Sequence, residues 1–361
     1  MRTKPCNPYT RNPLTNKQTT RLTKSSSYPL YKTQCPGSTP SYPKSSSQPL
    51  ITWPHQVLGS VNLASSIPPT PRLLPPSIRQ ALGFLHKYLR SFSRHYCRWC
   101  SIPFNNQIAA LPFGLVLKWS DGTRLEEVTA TLIARATGFP VPKIVFYAEH
   151  ADTPHAPVSI LMTRKPGEDL REPKSHERMT DDERERIFAE PQCMLQVMRK
   201  WHHIVGKDRI CSVSGTAVRS VRIPNHAVGP CETEAEFNNH LFDSLSGHRL
   251  VTEQKFKETV EVAGRLQKVQ HSIVFTHGDV KHHNIMVLNG HSTGFLDWES
   301  AGWSPEYWEF TTPLRFGPRE FWWNEWVWGL GGEKYAVELE SEKALVPLTV
   351  DAWACKDPCA S

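Results

Sequence analysis

The strongest constraint on how this chain can fold lies near residue 280. There it reads His277-Gly278-Asp279-Val280-Lys281-His282-His283-Asn284, then the apolar stretch Ile285–Leu288, the pair Asn289-Gly290, and Gly294-Phe295-Leu296-Asp297-Trp298-Glu299. Asn-Gly between two apolar runs is a hairpin signal. A hairpin here turns the chain back on itself and returns Asp297 to the neighbourhood of Asn284. A carboxylate at Asp279, an amide five residues on and a second carboxylate after the hairpin are the groups that phosphoryl transfer with a divalent metal requires. Asp279 can accept the proton of an attacking hydroxyl, and Asn284 and Asp297 offer the hard oxygen ligands that magnesium takes. Asp and Asn also cap loops between strands, so the spacing has to be weighed against the rest of the chain.

Length bounds the rest: 361 residues suit one large domain or two smaller ones. With 39% hydrophobic and 21% charged residues, and no run near the 18 or so consecutive apolar residues of a membrane span, a soluble protein is expected. The net charge of +7 is an average of two unlike parts. No Asp or Glu precedes Asp121, while the first 120 residues carry 15 Lys and Arg; the remainder balances to −8. Residues 1–76 hold 14 of the 30 prolines and the triplets Ser25-Ser26-Ser27 and Ser45-Ser46-Ser47. Such a stretch buries too little apolar surface to offset its ordering entropy, so a disordered basic tail is expected over 1–76.

Nine cysteines, an odd count without regular spacing, point to reduced thiols and a cytoplasmic location. Cys97 and Cys100, and Cys355 and Cys359, are the close pairs, read as unpaired thiols rather than a zinc site. The acid-free N-terminus has a transit-peptide composition, but Pro5, Pro8 and Pro13 would break the helix such a peptide needs, so mitochondrial import is the minor alternative.

From Ser77 the pattern becomes helical. Ile78, Ala81, Leu82, Leu85, Leu89 and Phe92 recur at three- and four-residue intervals with Arg79, Lys87, Arg90 and Arg94 between them, a basic amphipathic helix with its connector over 77–104. Packing of this stripe on the following domain is expected; a membrane-surface or partner-binding helix is the alternative. A strand Leu115–Trp119, a turn at Asp121-Gly122, a helix Arg124–Ala136 and strands near Lys143–Tyr147 and Val158–Met162 follow. Beyond Gly167 helices dominate: Thr180-Asp181-Asp182-Glu183 and Thr233-Glu234-Ala235-Glu236 have capping-box spacing, Pro191 is expected to kink or divide the first helix, and another runs Thr252–Gln270. Three short apolar segments, Ile273–Thr276, Ile285–Leu288 and Thr293–Leu296, precede an aromatic-rich helical tail. In it Trp322, Trp326 and Gly329 are expected to pack into the core.

The catalytic-loop run and this order of elements resemble the aminoglycoside phosphotransferase family, part of the wider protein-kinase-like fold that includes choline kinases. The resemblance covers about residues 105–330. It implies an α+β bilobal protein-kinase-like fold: a small β-rich lobe over 105–165 on the nucleotide side and a larger helical lobe over 166–361 with the catalytic loop. It implies Asp279 as catalytic base, Asn284 and Asp297 as metal ligands and His277 as a brace for the loop. Lys118, at the end of the strand Gly114-Leu115-Val116-Leu117-Lys118, would neutralise nucleotide phosphates. Its partner would be a helix glutamate, Glu127 by alignment with the family, with Glu126 one residue away. Ser159–Gly167 resembles the strand and hinge between lobes, where backbone groups from Met162 to Arg164 would meet the adenine edge. The resemblance thus implies ATP and Mg2+ as cofactors and a small-molecule hydroxyl as acceptor.

One departure stands out: upstream of Lys118 only Gly114 answers to the glycine-rich phosphate loop of protein kinases. A nucleotide-binding module with weak or no catalysis therefore stays open. A protein kinase fits less well, because Trp298-Glu299 follows Asp297 where Phe-Gly is required and no Ala-Pro-Glu segment follows. His282, His283, Asp243, Glu299, Glu306 and Glu309 are candidates for the acceptor side, and a domain at −8 suits a cationic acceptor. No nucleic-acid partner is expected, though the basic N-terminal third could bind nucleic acid or membrane by itself; oligomeric state cannot be read from the residues.

Overall fold

The computed structural model describes residues 63–171, 179–204, 206–220, 222, 226–243, 245, 252–315 and 321–349. All lie within one compact unit, Tyr31–Ser361; a second, Met1–Leu30, falls outside the described residues, as do Cys355 and Cys359.

The small lobe is built by period-two alternation. It comprises helix α1 (Pro76–Trp99), strands β1 (Ile108–Leu111) and β2 (Leu115–Lys118), helix α2 (Leu125–Ala136), and strands β3 (Ile144–Glu149) and β4 (Val158–Thr163). The strands form one antiparallel sheet in the order β1-β2-β4-β3, with Leu117 opposite Leu161 and Lys118 opposite Ile160. One face carries Ala109, Leu111, Leu117 and Leu161, packed with Leu89 of α1. The other carries Val158, Ile160 and Tyr147 against Val128, Leu125 and Leu132 of α2. Lys118 follows Leu117 and so lies on the α2 face.

Two expectations for this region are corrected. The stripe of α1 that meets the sheet is not the apolar one: its buried residues are Gly83, His86, Ser93 and Cys97, whereas Ile78, Leu85 and Phe92 are exposed. Small and polar side chains win because they admit close approach and find partners. A Cβ on Gly83 would sit 2.5 Å from the Glu149 carbonyl oxygen. His86 Nδ1 and His150 Nε2 both bond Ser159 Oγ (2.6 and 2.8 Å), and Ser93 Oγ donates to the Ala110 carbonyl at 2.6 Å. The second correction concerns the tail expected over 1–76. Residues 63–75 pack on the fold without forming a helix or strand: Ile67 is buried, Ala64 N–H donates to the Thr137 carbonyl, Trp201 Nε1 donates to the Ala64 carbonyl, and Leu73 and Leu74 pack on the α2 face. Prolines at 68, 69, 71 and 75 restrict this segment before folding, which lowers the entropy its ordering costs. The remainder of the expected tail, residues 1–62, is outside the described residues.

The larger lobe runs β5 (Glu168–Asp169), α3 (Asp181–Met198), β6 (Cys211–Ser212), β7 (Val218–Arg219), β8 (Ala227–Val228), α4 (Glu234–Phe242), α5 (Glu253–Gly264), β9 (Ile273–Thr276), β10 (Ile285–Leu288), β11 (His291–Phe295), β12 (Gly302–Pro305), α6 (Trp308–Leu314), α7 (Trp322–Leu330) and α8 (Ala336–Leu345). Thr180 caps α3 with a complete capping box. The helix is not divided at Pro191, whose ring is buried within it. On α7 the buried residues are Trp323, Asn324 and Val327; Trp322 and Trp326, partly buried beside Phe188, pack against the same core as expected, whereas Gly329 faces solvent. A large core gathers Phe139, Trp201, Phe275, Trp298, Trp303 and Trp308, and Ala130, Ile133 and Ala134 of α2 join it. Helix α2 therefore packs on both lobes. The architecture is α+β and bilobal, of the protein-kinase-like kind.

Candidate active site

The hairpin read from Asn289-Gly290 is present: β10 pairs with β11, Ile285 opposite Phe295. Leu296 N–H donates to the Asn284 carbonyl at 2.8 Å, so Asn284 and Asp297 issue from adjoining ends of the two strands.

Asp279 sits just beyond β9 on a braced loop. His277 is buried; its Nδ1 accepts from the Asp279 N–H at 3.3 Å and its Nε2 donates to the Leu296 carbonyl at 2.9 Å. Those roles require a neutral ring, and burial pushes its pKa down to about 4. Gly278 has φ +79°, and a Cβ there would lie 2.5 Å from the Ser300 carbonyl oxygen, so only glycine fits. The N–H groups of His277 and Gly278 donate to the two carboxylate oxygens of buried Glu309 at 2.6 and 3.0 Å. Burial pushes Glu309 up to about 7 against the pull of those donors. The Asp279 side chain in turn receives Lys281 Nζ on Oδ1 (2.7 Å) and Asn284 Nδ2 on Oδ2 (3.2 Å). Nδ2 also donates to the Asp279 carbonyl (2.9 Å), so the amide oxygen is what Asn284 has to offer a metal.

Across from this loop, Lys118 Nζ donates to Glu127 Oε1 (2.7 Å) and Asp297 Oδ1 (2.6 Å) and lies 3.8 Å from Glu299 Oε2. Arg219 Nε of β7 donates to Glu299 Oε1 at 3.0 Å. Burial alone would lower the Lys118 pKa; the three carboxylates outweigh it and raise it. Burial raises Glu127, with Asp297 and Glu299 adding to the effect. Burial acts upward on Asp297 too, but Lys118 prevails and its carboxyl is held below the usual range. Asp297 adopts φ +66°, ψ +60°, a left-handed conformation that Asp tolerates better than most residues other than glycine.

The structure thus brings Lys118, Glu127 and Asp297 into one cluster and Asp279 and Asn284 into another, joined through His277 and Leu296. It chooses between the two glutamates: Glu126 instead accepts from Thr216 Oγ1 at 2.7 Å. Other expectations change. Glu299, assigned to the acceptor side, belongs to the Lys118 cluster, and Glu309, assigned there too, is buried beneath the loop that carries Asp279. Glu306 is tied to Arg199 and Lys334. Around the hinge, Met162 is paired in mid-sheet with Val116 and Ile144, Thr163 N–H donates to the Lys143 carbonyl and Arg164 N–H to the Gly114 carbonyl. The Thr163 and Arg164 donors expected to meet adenine are therefore already engaged. Sequence reading passed over Lys281 and Arg219. Lys281 had a signal: two residues past Asp279 on extended backbone, it falls on the same side. Arg219 had none, since its strand is two residues long.

Residues 115–327 match a family model described as the phosphotransferase enzyme family, APH. The chain belongs to that family. Solved structures similar to this phosphotransferase-family chain include aminoglycoside phosphotransferase APH(4)-Ia (10% identity, 66% of this chain and 78% of that chain, TM-score 0.46). The GDP and kanamycin complex of APH(2")-IIia shares 13% identity over 68% of this chain and 80% of that chain (TM-score 0.45). APH(3'')-Id from Streptomyces rimosus ATCC10970 shares 15% over 68% and 91% (TM-score 0.37). No curated protein sequence matches.

Proposed function

We propose that the chain transfers the γ-phosphoryl group of ATP to a hydroxyl group of a small molecule. The observation that carries this reading is the Asp279 carboxylate, on a loop braced by His277 and Glu309 and flanked on its two oxygens by Lys281 and Asn284. Asp279 would orient the acceptor hydroxyl and take its proton as the O–P bond forms. Lys118, oriented by Glu127, would hold the nucleotide phosphates, and Lys281 would offset charge at the transferring group. Positioning and charge stabilisation are the main sources of rate here, since protein groups form no covalent bond to the phosphoryl group.

Asn284 and Asp297 fit Mg2+: both are hard oxygen donors at adjoining strand ends, and the three carboxylates Glu127, Asp297 and Glu299 outnumber the two cations Lys118 and Arg219 that they bond. When bound, the metal would neutralise phosphate charge. For the acceptor, the acidic balance of residues 121–361 favours a cationic alcohol such as an amino-sugar or a choline-like compound.

A nucleotide-binding module without turnover is the second reading, favoured by the turn between β1 and β2. Only Pro112-Phe113-Gly114 link the strands, and no glycine-rich hairpin precedes them among the described residues. Screening ATP consumption over amino-sugars, choline-like alcohols, sugars and a generic protein, with Asp279→Asn as the blank, tests the proposal. Consumption with none of these, alongside a thermal shift with Mg-ATP, would favour the module.

A further inference from the structure

Helix α4 and the chain just before it bring three metal-ligating side chains together. Cys231 Sγ, a carboxylate oxygen of Glu236 and a ring nitrogen of His240 all lie within 4.8 Å of one another. None of the three belongs to the candidate active site.

Ordinary local structure delivers each of them. Cys231 N–H donates to the Ile210 carbonyl (2.9 Å) and Ile210 N–H to the Cys231 carbonyl (2.8 Å), a two-way bridge to the residue just ahead of β6. Thr233 then caps α4, its hydroxyl oxygen accepting from Glu236 N–H at 3.2 Å. Glu236 Oε2 accepts from Glu232 N–H at 2.8 Å, which turns the carboxylate back toward the chain that carries Cys231. His240 follows one turn later, and residues four apart share a helix face. The same spacing carries paired ligands in helical zinc sites.

The burial of the three is uneven. Cys231 is 0% exposed and its thiol has no hydrogen-bond partner among the described residues, whereas Glu236 and His240 are exposed. A free cysteine is commonly buried as a small hydrophobe. This one instead faces a carboxylate and an imidazole, two groups with open access to water that nevertheless converge on a sulfur. The His240 ring, too, has no hydrogen-bond or ion-pair partner among the described residues.

Ligand chemistry selects the ion. Mg2+ and Ca2+ take oxygen and have no use for a thiolate. One sulfur, one nitrogen and one oxygen form a set that suits Zn2+. Zinc bonds of about 2.0–2.3 Å put tetrahedral ligand atoms roughly 3.3–3.7 Å apart. Glu236 and His240 can close to that spacing by side-chain rotation, since both are exposed.

We propose that Cys231, Glu236 and His240 bind Zn2+, with water as the fourth ligand, and that the ion ties the Ile210–Cys231 bridge to α4. The thiol releases its proton to solvent as the zinc–sulfur bond forms. The tie bears on the core of the larger lobe: Ile210 runs into β6, β6 pairs with β12, and β12 pairs with β9, the strand that leads to Asp279.

Cobalt titration of the chelator-treated full chain tests this, because Co2+ occupies zinc sites and a thiolate ligand gives it a near-ultraviolet charge-transfer band. The band should appear on adding Co2+ and be displaced by Zn2+. Cys231→Ser should abolish it. His240→Ala, a change at an exposed position that leaves the fold intact, should weaken zinc binding at least tenfold. The band should survive in Asp297→Asn and in Cys97→Ser with Cys100→Ser, which separates this site from the acidic cluster around Lys118 and from the other close cysteine pair. Zn2+ should also raise the melting temperature of the parent, and by less in His240→Ala. Four results would overturn the proposal: no thiolate band in the parent; zinc affinity unchanged in His240→Ala; a band kept in Cys231→Ser and lost in the Cys97 and Cys100 variant; or no rise in melting temperature with Zn2+.

Discussion

Lys118 and Glu127 are nine residues apart in sequence, and the ammonium of one lies 2.7 Å from the carboxylate of the other. The strand places Lys118 on the α2 face of the sheet and the first turn of α2 brings Glu127 to it. Both are buried, and the same ammonium serves Asp297 from the other lobe. Lys118→Met would leave buried carboxylates without a counter-charge. It is expected to cost roughly 3–5 kcal/mol of stability and to lower kcat/KM by about 100-fold or more. Adding Glu127→Gln should restore part of the stability but none of the activity. Urea unfolding and steady-state kinetics of the single and double variants check this.

Gly278→Ala tests the loop under Asp279. The dihedral alone costs about 1–3 kcal/mol, and the added Cβ meets the Ser300 carbonyl oxygen 2.5 Å away, a backbone atom that cannot swing aside. The variant should melt lower than the parent and lose turnover even where it is folded.

His277 makes stability depend on pH. Its folded pKa of about 4 lies below the ordinary 6.5, so between those values the unfolded chain binds the extra proton and the fold does not. Stability contributed by the neutral ring is complete above about pH 6.5 and is lost as pH falls toward 4, by about 2 kcal/mol at pH 5. Urea unfolding at pH 7 and pH 5 should show this loss, and His277→Gln, destabilised at both, should show a shallower dependence. An equal slope in the variant would refute the assignment.

Lys281 bonds Asp279 without being needed to fold the loop, since Glu309 and His277 already hold it. Lys281→Met should lower kcat by roughly 100-fold and leave the melting temperature and the KM for ATP nearly unchanged. A melting temperature that falls along with kcat would make Lys281 structural.

Much of this site could be read before the fold. Asp279, Asn284 and Asp297 were legible because a tight hairpin is a local object: Asn289-Gly290 fixes the turn, and the turn fixes who meets whom. Lys118 was legible because it ends an apolar strand at the place where the family resemblance implies a phosphate-binding lysine. The partner choice between Glu126 and Glu127 needed the rotation of α2, which its burial on both lobes sets. Glu309 and Glu299 were misplaced for a similar reason. Nothing local distinguishes a glutamate beneath a loop from one beside an acceptor, and their partners, His277 and Arg219, lie 32 and 80 residues away. On α1 the periodicity was real but its direction was not given by it. Two stripes were available, and the contacts of Gly83, His86 and Ser93 with the sheet decided between them.

The central claim is that Asp279 directs an acceptor hydroxyl to the γ-phosphate, and single-turnover transfer of labelled γ-phosphate tests it most directly. With an acceptor from the consumption screen, the parent chain should deliver label to the alcohol. Asp279→Asn should be slower by about 10²–10⁴-fold while binding Mg-ATP as the parent does. Transfer by Asp279→Asn at the parent rate would contradict the account.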